Sequence, residues 1–265
     1  MKVMSVNYSE NPSGIDTHYH NCHQLIFVKK GAVSVTVGER EYLAEDGTLI
    51  ILSRFEEHSI RLKSEFYERY YINISSESSE ALRDNKILSS VLVNRPESFD
   101  NMVNLAHYSE IFENFFDNME KEYREKNIMH KDALDLMLRM ILINLYRVYP
   151  SLFSESTGEN TSLIYKIQKD IENNFKDELS LDEISDKYHI SKFHLARMFK
   201  RVTGYSPIDY LINCRLSEAK KYLYTTTLPI KQIIDICGFS DESNFSRMFK
   251  KKMGMTPSEY RKKTS

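Results

Sequence analysis

The chain is 265 residues long, 41% hydrophobic and 28% charged, which is apolar enough for two ordinary domains and excludes a disordered tail. Its net charge of −2 hides an asymmetry: residues 162–265 carry 19 Lys and Arg against 13 Asp and Glu, residues 1–161 carry 17 against 25, so one half is built to meet a polyanion. No apolar run approaches the roughly 18 residues of a membrane span, the start lacks a secretory apolar stretch, and Cys22, Cys214 and Cys237 are too few and too scattered for a disulfide framework or a Cys-rich zinc site, so a cytoplasmic protein is expected.

From Leu25 to Ile74 the pattern is β-rich. Leu25 to Val28 is a compact apolar run, Lys29-Lys30-Gly31 reads as a turn, and Ala32 to Val37 alternates with the period of a half-buried strand. Gly38-Glu39-Arg40 is a second turn. Thr48 to Leu52, Ser59 to Leu62 and Phe66 to Ile74 complete about six short strands, the pattern of a sandwich or small barrel. Helical periodicity follows. In 107–126 Ile111, Phe112, Phe115, Phe116, Met119 and Tyr123 fall on one stripe. Residues 131–149 are apolar on nearly all sides, so that helix is expected to bury two faces: one on the sheet, the other in its own core or on a second subunit. Pro150 ends it. Residues 151–161, rich in Ser, Thr, Glu and Gly, read as a linker, and everything after them reads as helical.

The C-terminal part repeats itself. Leu181-Asp-Glu-Ile184, Ile190-Ser191, Leu195, Arg197-Met-Phe199-Lys200, Gly204, Pro207 and Tyr210 superpose on Ile230-Lys-Gln-Ile233, Phe239-Ser240, Phe245, Arg247-Met-Phe249-Lys250, Gly254, Pro257 and Tyr260. The offset is 49 residues up to the serine and 50 after it, the mark of a duplicated unit. Each unit is punctuated as a helix-turn-helix, over 181–202 and 230–253. Ser180 with Glu183 forms a capping box, His189-Ile190 is the turn, Ser191 caps the second helix and Gly204 closes it. In the second unit Gly238-Phe239 is the turn and Ser240 the cap. The periodicity leaves Lys192, Phe193, His194, Ala196, Arg197 and Lys200 outward in the first unit, and Glu242, Ser243, Ser246, Arg247 and Lys250 in the second. A basic stripe on one short helix is usually a solvated face. Two at equivalent positions, in a domain of net positive charge, point to readers of double-stranded DNA held one turn of duplex apart.

Over residues 164–263 the sequence resembles the DNA-binding domain of AraC/XylS-family transcription regulators. The residues that carry the resemblance are the repeated Arg-Met-Phe-Lys, the Gly238-Phe239-Ser240-Asp241 stretch and the closing Thr256-Pro257-Ser258-Glu259-Tyr260-Arg261. The chain departs from the family at Ser185 and Ile234, where Ala is usual, and at His194 and Asn244, where an aromatic is usual. The N-terminal part resembles the cupin-like sensor of the same family. Gly14, His18, His20, Gln24 and Gly31 follow the first cupin motif, and Gly47 and His58 the second. Gln24 stands where metal-binding cupins have Glu; Ser53 and Phe55 replace the usual Pro and Gly.

The resemblance implies that His18, His20, Gln24 and His58 converge inside a barrel. There they bind either an organic effector or a divalent transition metal, or serve the fold alone. Strand alternation puts His23 opposite Gln24, at the surface or in a lid. The fold expected is α+β in two domains. Residues 1–106 form a cupin-like β-barrel, 107–150 a helical hairpin for support and dimerisation, 151–161 a linker and 162–265 an all-α domain with two helix-turn-helix units. The function expected is sequence-specific transcription regulation, activation being favoured by the resemblance. Its expected partners are DNA, a small-molecule effector such as a sugar, RNA polymerase and a second copy of the chain, with no membrane. The competing readings are a metal sensor, a cupin enzyme holding iron or manganese on His18, His20 and His58, or a DNA-binding protein whose cupin domain only dimerises and binds nothing.

Overall fold

The computed structural model describes residues 3–75, 86–93, 95, 99–153 and 159–264. It divides into two compact units, residues 1–157 and 158–265.

The first unit is a seven-stranded antiparallel sheet: β1 (Val3–Glu10), β2 (Ile15–His18), β3 (His23–Val37), β4 (Arg40–Ala44), β5 (Thr48–Leu52), β6 (His58–Ile74) and β7 (Met102–Asn104). The strand order is β1-β6-β3-β5-β7, with β2 added to β6 and β4 to β3. The ladder does not close among the described residues, so the expected barrel is a strongly bent open sheet.

One expected turn and one expected break between strands are neither. Lys29-Lys30-Gly31 lies inside one continuous 15-residue strand, and the segment between Leu62 and Phe66 lies inside a 17-residue one. These segments face each other. The β3–β6 register shifts between Val28 and Lys30 and again between Gly31 and Val33, so the extra residues form bulges that bend the sheet. Gly31 sits there at φ 92, and a Cβ on it would strike the Phe66 carbonyl oxygen at 1.9 Å. β1, β4 and β7 carry no signal strong enough to have been expected.

Both faces of the sheet are buried. Outward, Leu25, Phe27, Leu49, Ile51, Tyr70 and Ile72 pack with α1 (Lys86–Val93), α2 (Ser109–Glu125) and α3 (His130–Val148) in one core. Phe27 stacks on Phe116 at 5.1 Å. Inward, Ile26, Val28, Val33, Val35, Ile50, Leu52, Ile60 and Tyr67 fill the bend. The stripe expected on α2 is mostly inside, with Phe112, Phe116 and Met119 buried, but Ile111 is half exposed. On α3 the inner face is Leu134, Leu138, Ile141, Leu142 and Leu145, while Leu136 and Met140 are exposed. Pro150–Leu152 forms a 3-10 turn, and Leu152 and Phe153 join the outward core. Residues 154–158 of the expected linker lie outside the described residues.

The second unit is helical: α4 (Glu159–Asn174), α5 (Leu181–Lys187), α6 (Lys192–Thr203), α7 (Pro207–Thr225), α8 (Ile230–Ile236), α9 (Glu242–Met253) and α10 (Pro257–Thr264). The duplication is visible in the coordinates. α5 and α8 are each seven residues long, and α6 and α9 each twelve. Ser180 and Glu183 form the capping box, Ser191 accepts from the His194 amide, and Gly204 and Gly254 close α6 and α9 at φ 80 and 71. The cap of α9 is Asp241, which accepts from the Asn244 amide, not the expected Ser240. Both residues are good N-caps; the helix starts one residue later in the second unit.

Candidate effector pocket and DNA-reading helices

In the first unit, β2 ends on His18 and β6 begins on His58, and the two residues pair directly. His20 lies in the connection from β2 to β3, where its carbonyl accepts from the Phe55 amide at 2.8 Å. His18 and His20 therefore do not share a strand face with Gln24, as the motif suggests. The three imidazoles nonetheless meet: one ring nitrogen of each lies within 4.8 Å of the others.

Backbone carbonyls set two of the tautomers. His18 Nδ1 donates to the Asp16 carbonyl at 2.8 Å and His58 Nδ1 to the Glu56 carbonyl at 2.9 Å. Each Nε2 then carries a lone pair, and His18 Nε2 accepts from His20 Nε2 at 3.0 Å. Burial pushes His58 down to about 4, with the neighbouring His18 adding to the shift, so His58 is neutral at neutral pH. Gln24 shares the inner face, but its amide donates to Asn73 Oδ1 at 2.8 Å.

The turn that presents His58 is held from beneath. Phe55 takes φ 64, the left-handed conformation that the usual glycine of the motif would take without strain. Glu56 accepts from the Ser53 amide at 2.7 Å and from Arg95 Nη1 at 2.9 and 3.2 Å. Arg95 also donates to the carbonyls of Ile51 and Val91, both at 3.0 Å, and stacks on Phe99 at 4.1 Å. Nothing local in the sequence announced this pair, whose members are 39 residues apart.

His23 is buried, not at the surface. Alternation along a strand says nothing about exposure when both faces of the sheet are covered. Its Nδ1 accepts from the Arg54 amide at 3.4 Å, and burial, aided by Arg95 and Arg54, pushes it down to about 3. A His whose folded value is below its unfolded one folds neutral. Its contribution is undiminished above the ordinary value of 6.5 and is lost as pH falls from there toward 3. At pH 5 the loss from this one group is about 2 kcal/mol. Thermal melts should therefore show the first unit weakening between pH 7 and 5, and His23→Phe should reduce that slope to the part that His58 contributes. A slope unchanged by the substitution would remove His23 as its cause.

In the second unit the expected reading residues stay accessible. Lys192, Arg197 and Lys200 of α6 are exposed, as are Glu242, Ser243, Arg247 and Lys250 of α9; His194, Ala196 and Ser246 are half-buried. Phe193 is 89% exposed. Lys192 is ion-paired with Asp182, and Arg247 Nη2 donates to Asn244 Oδ1 at 3.0 Å. Arg201 and Lys251, absent from the expected set, are also exposed at the ends of the same basic runs. The buried sides, Leu195, Met198 and Phe199 in α6 and Phe245 and Phe249 in α9, fix the rotation of each helix. Arg197 and Arg247 thus occupy the same exposed position in each copy, 50 residues apart.

Comparison with known proteins agrees with both halves. Residues 9–138 match the family model of the AraC-like ligand binding domain, and residues 184–263 match a helix-turn-helix domain. The HTH-type transcriptional activator RhaS of Escherichia coli is 22% identical over 263 residues, covering 92% of this chain and 86% of RhaS. The solved structure of ToxT from Vibrio cholerae superposes with a TM-score of 0.68 at 19% identity, over the full length of both chains. A second ToxT structure, solved with unsaturated fatty acid bound, superposes with a TM-score of 0.61 at 16% identity, over 97% of this chain and 94% of that one. Among the described residues no helix is long and apolar enough to cross a membrane.

Proposed function

The chain belongs to the AraC/XylS family of transcription regulators, with an N-terminal sensor domain and a C-terminal helix-turn-helix domain, and from that premise we propose how its residues divide the work. α6 and α9 are the DNA readers. The observation that carries this is the pair Arg197 and Arg247, exposed at equivalent positions of two duplicated helix-turn-helix units. Each guanidinium can take a guanine edge through two parallel hydrogen bonds. Phe193, an aromatic ring in solvent at the first turn of α6, suits the methyl group of a thymine. Lys200 and Lys250, one turn beyond the arginines, suit phosphates. α7 joins the two units through a buried face of Tyr210, Leu211, Cys214, Leu216, Ala219 and Leu223, which keeps their spacing fixed for successive major grooves.

The test is binding of the full chain to an operator selected from random DNA. Arg197→Ala or Arg247→Ala should each cost about 1–3 kcal/mol and relax preference at one base step. Lys200→Ala and Lys250→Ala should weaken binding to all sequences and flatten its salt dependence. Unchanged affinity in both arginine variants would remove α6 and α9 as readers.

The sensor controls this binding through a small organic effector held on the inner face of the sheet, and the regulator activates transcription through contact with RNA polymerase. RhaS is an activator and ToxT was solved with a bound organic molecule, which supports both parts of the reading. The exposed Leu136 and Met140 of α3, four residues apart, support a homodimer through the helical hairpin. Sedimentation of the full chain at operator-binding concentrations tests it. The family and the fused reading domain favour a regulator over a cupin enzyme.

A second reading rests on His18, His20 and His58. Their donor set suits a divalent transition metal, which would supply charge and rigidity at the end of β2. His58→Ala should abolish or lock the response of an operator-driven reporter to inducer. If metal is involved, nickel or zinc should raise the melting temperature of the parent and not of the variant. A normal induction ratio in the variant would show that the histidines serve only the fold.

A further inference from the structure

The inner face of the sheet carries a polar stripe that the motif residues do not account for. From β3 across β6 to β1, Gln24 donates to Asn73 and Asn73 donates to Ser5 Oγ at 3.0 Å; one rung along, Asn7 donates to the Tyr71 hydroxyl at 3.0 Å. The next rung pairs Arg69 of β6 with Ser9 of β1 and Val28 of β3. Asn7 is exposed and Gln24 buried, so the stripe runs from solvent inward.

Arg69 is only 7% exposed, and no carboxylate pairs with it among the described residues. The rings of Tyr67 and Tyr71 flank its guanidinium at 5.8 and 5.7 Å. Its Nε has no hydrogen-bond partner, and neither does the buried hydroxyl of Tyr42 on the same face; the Tyr67 hydroxyl lies beside the guanidinium, whose charge counters the rise that burial imposes on it. The stripe side chains, Ser5, Asn7, Ser9, Gln24, Arg69, Tyr71 and Asn73, include no acid. A guanidinium so nearly enclosed without a counter-charge is costly, and an arriving anion would pair with it.

We propose that the effector of this sensor carries an oxyanion, a carboxylate or a phosphate, and that Arg69 is the residue that pairs with it, with the Tyr67 hydroxyl as a donor beside it. The inference rests on the reading of this domain as an effector sensor and names the chemical class of that effector. An oxyanion matches the planar fork of Arg with two parallel hydrogen bonds, and the two flanking rings keep the fork in place. A neutral sugar would leave the charge unpaired.

The experiment compares the full chain with Arg69→Met and Arg69→Lys. Melting temperatures are recorded in a chloride buffer without oxyanions and after addition of pyruvate, citrate, glucose 6-phosphate or inorganic phosphate, with glucose and rhamnose as neutral controls. Without added acid, Arg69→Met should melt several degrees above the parent, since it removes an unpaired buried charge and keeps the apolar stem. At least one acid should raise the melting temperature of the parent, less so that of Arg69→Lys, and leave Arg69→Met unmoved; carboxylate-only or phosphate-only responses identify which oxyanion is read. Arg69→Met melting below the parent would make Arg69 a structural residue and overturn the proposal, and so would an acid response that survives in Arg69→Met. Stabilisation by neutral sugars alone, unchanged in the variants, would overturn the oxyanion and leave the effector sensor standing. A reporter whose output never depends on any added compound, in parent or variant, would bring down the sensor reading itself.

Discussion

Glu56→Ala should destabilise the first unit by about 3–5 kcal/mol, enough to lower its melting temperature by on the order of 10 °C. The Arg95 side chain is 14% exposed and that of Glu56 25%. Burial pulls the guanidinium down from its usual value while Glu56 holds it up. Among the described residues, removing the carboxylate leaves a buried cation facing two carbonyls and the Phe99 ring with no counter-charge, and releases the Ser53 amide as well. Glu56→Gln keeps an acceptor of the same shape and should cost less. The double change Glu56→Met with Arg95→Met removes both charges together and should recover much of the loss, because a buried pair often exceeds its apolar replacement in specificity more than in stability. The measurement is thermal unfolding of the full chain, read by a probe in the first unit. A change under about 1 kcal/mol for Glu56→Ala would show that water reaches the pair and screens it.

The consequence reaches the site. The Glu56 carbonyl fixes the His58 tautomer, and the Phe55 amide holds the His20 carbonyl. Loosening the turn should therefore lower induction before it unfolds the domain.

What the sequence made legible was local. Ser180 with Glu183, Ser191, Ser206 with Asp209, and Thr256 with Glu259 are caps whose donors and acceptors lie three residues apart, and each forms the hydrogen bond its spacing implies. The duplicated pattern added the pairing of Arg197 with Arg247. What stayed hidden depends on a partner far along the chain. Lys29-Lys30-Gly31 has the composition of a turn, but a second irregular segment near Phe66 lies opposite and turns it into a bulge. His23 needs the sheet's second covered face to be read as buried. Gln24 is drawn to Asn73 across 49 residues. Arg69 did leave a signal: Tyr67, Arg69, Tyr71 and Asn73 alternate along a strand, a polar face on an element whose other face, with Tyr70 and Ile72, is apolar. Period-2 polarity on a buried strand marks a lined interior as well as a solvated edge.

Gly238→Ala should cost on the order of 3 kcal/mol and should act on DNA binding through the second reader alone. The first and second turns are equivalent 49 residues apart, yet His189 occupies the left-handed conformation in one, at φ 53, and Gly238 in the other, at φ 78. The left-handed backbone therefore tolerates a side chain in the first helix-turn-helix at a cost of about 1 kcal/mol. The second turn lacks the space. A Cβ on Gly238 would meet the Lys176 carbonyl oxygen at 2.5 Å and its carbon at 2.9 Å, a clash with backbone that no rotamer relieves. The Lys176 segment is itself anchored: Arg215 of α7 donates to the carbonyls of Phe175 and Asp177, both at 2.7 Å, and its guanidinium lies 5.8 Å from the Phe239 ring. Phe239 in turn meets Phe245 of α9 edge-on at 5.0 Å. The clash must then be absorbed by moving the turn that sets α9, or by breaking the Arg215 anchors. The expected result is a destabilised second unit and an operator affinity reduced at least as far as in Arg247→Ala, with preference at the base step read by Arg197 retained. His189→Gly, the reciprocal change, should be neutral to slightly stabilising, since relief of the left-handed strain is offset by added freedom in the unfolded chain. Equal, small effects of Gly238→Ala and His189→Ala on stability would show that the Lys176 contact yields, and that the two turns are mechanically alike.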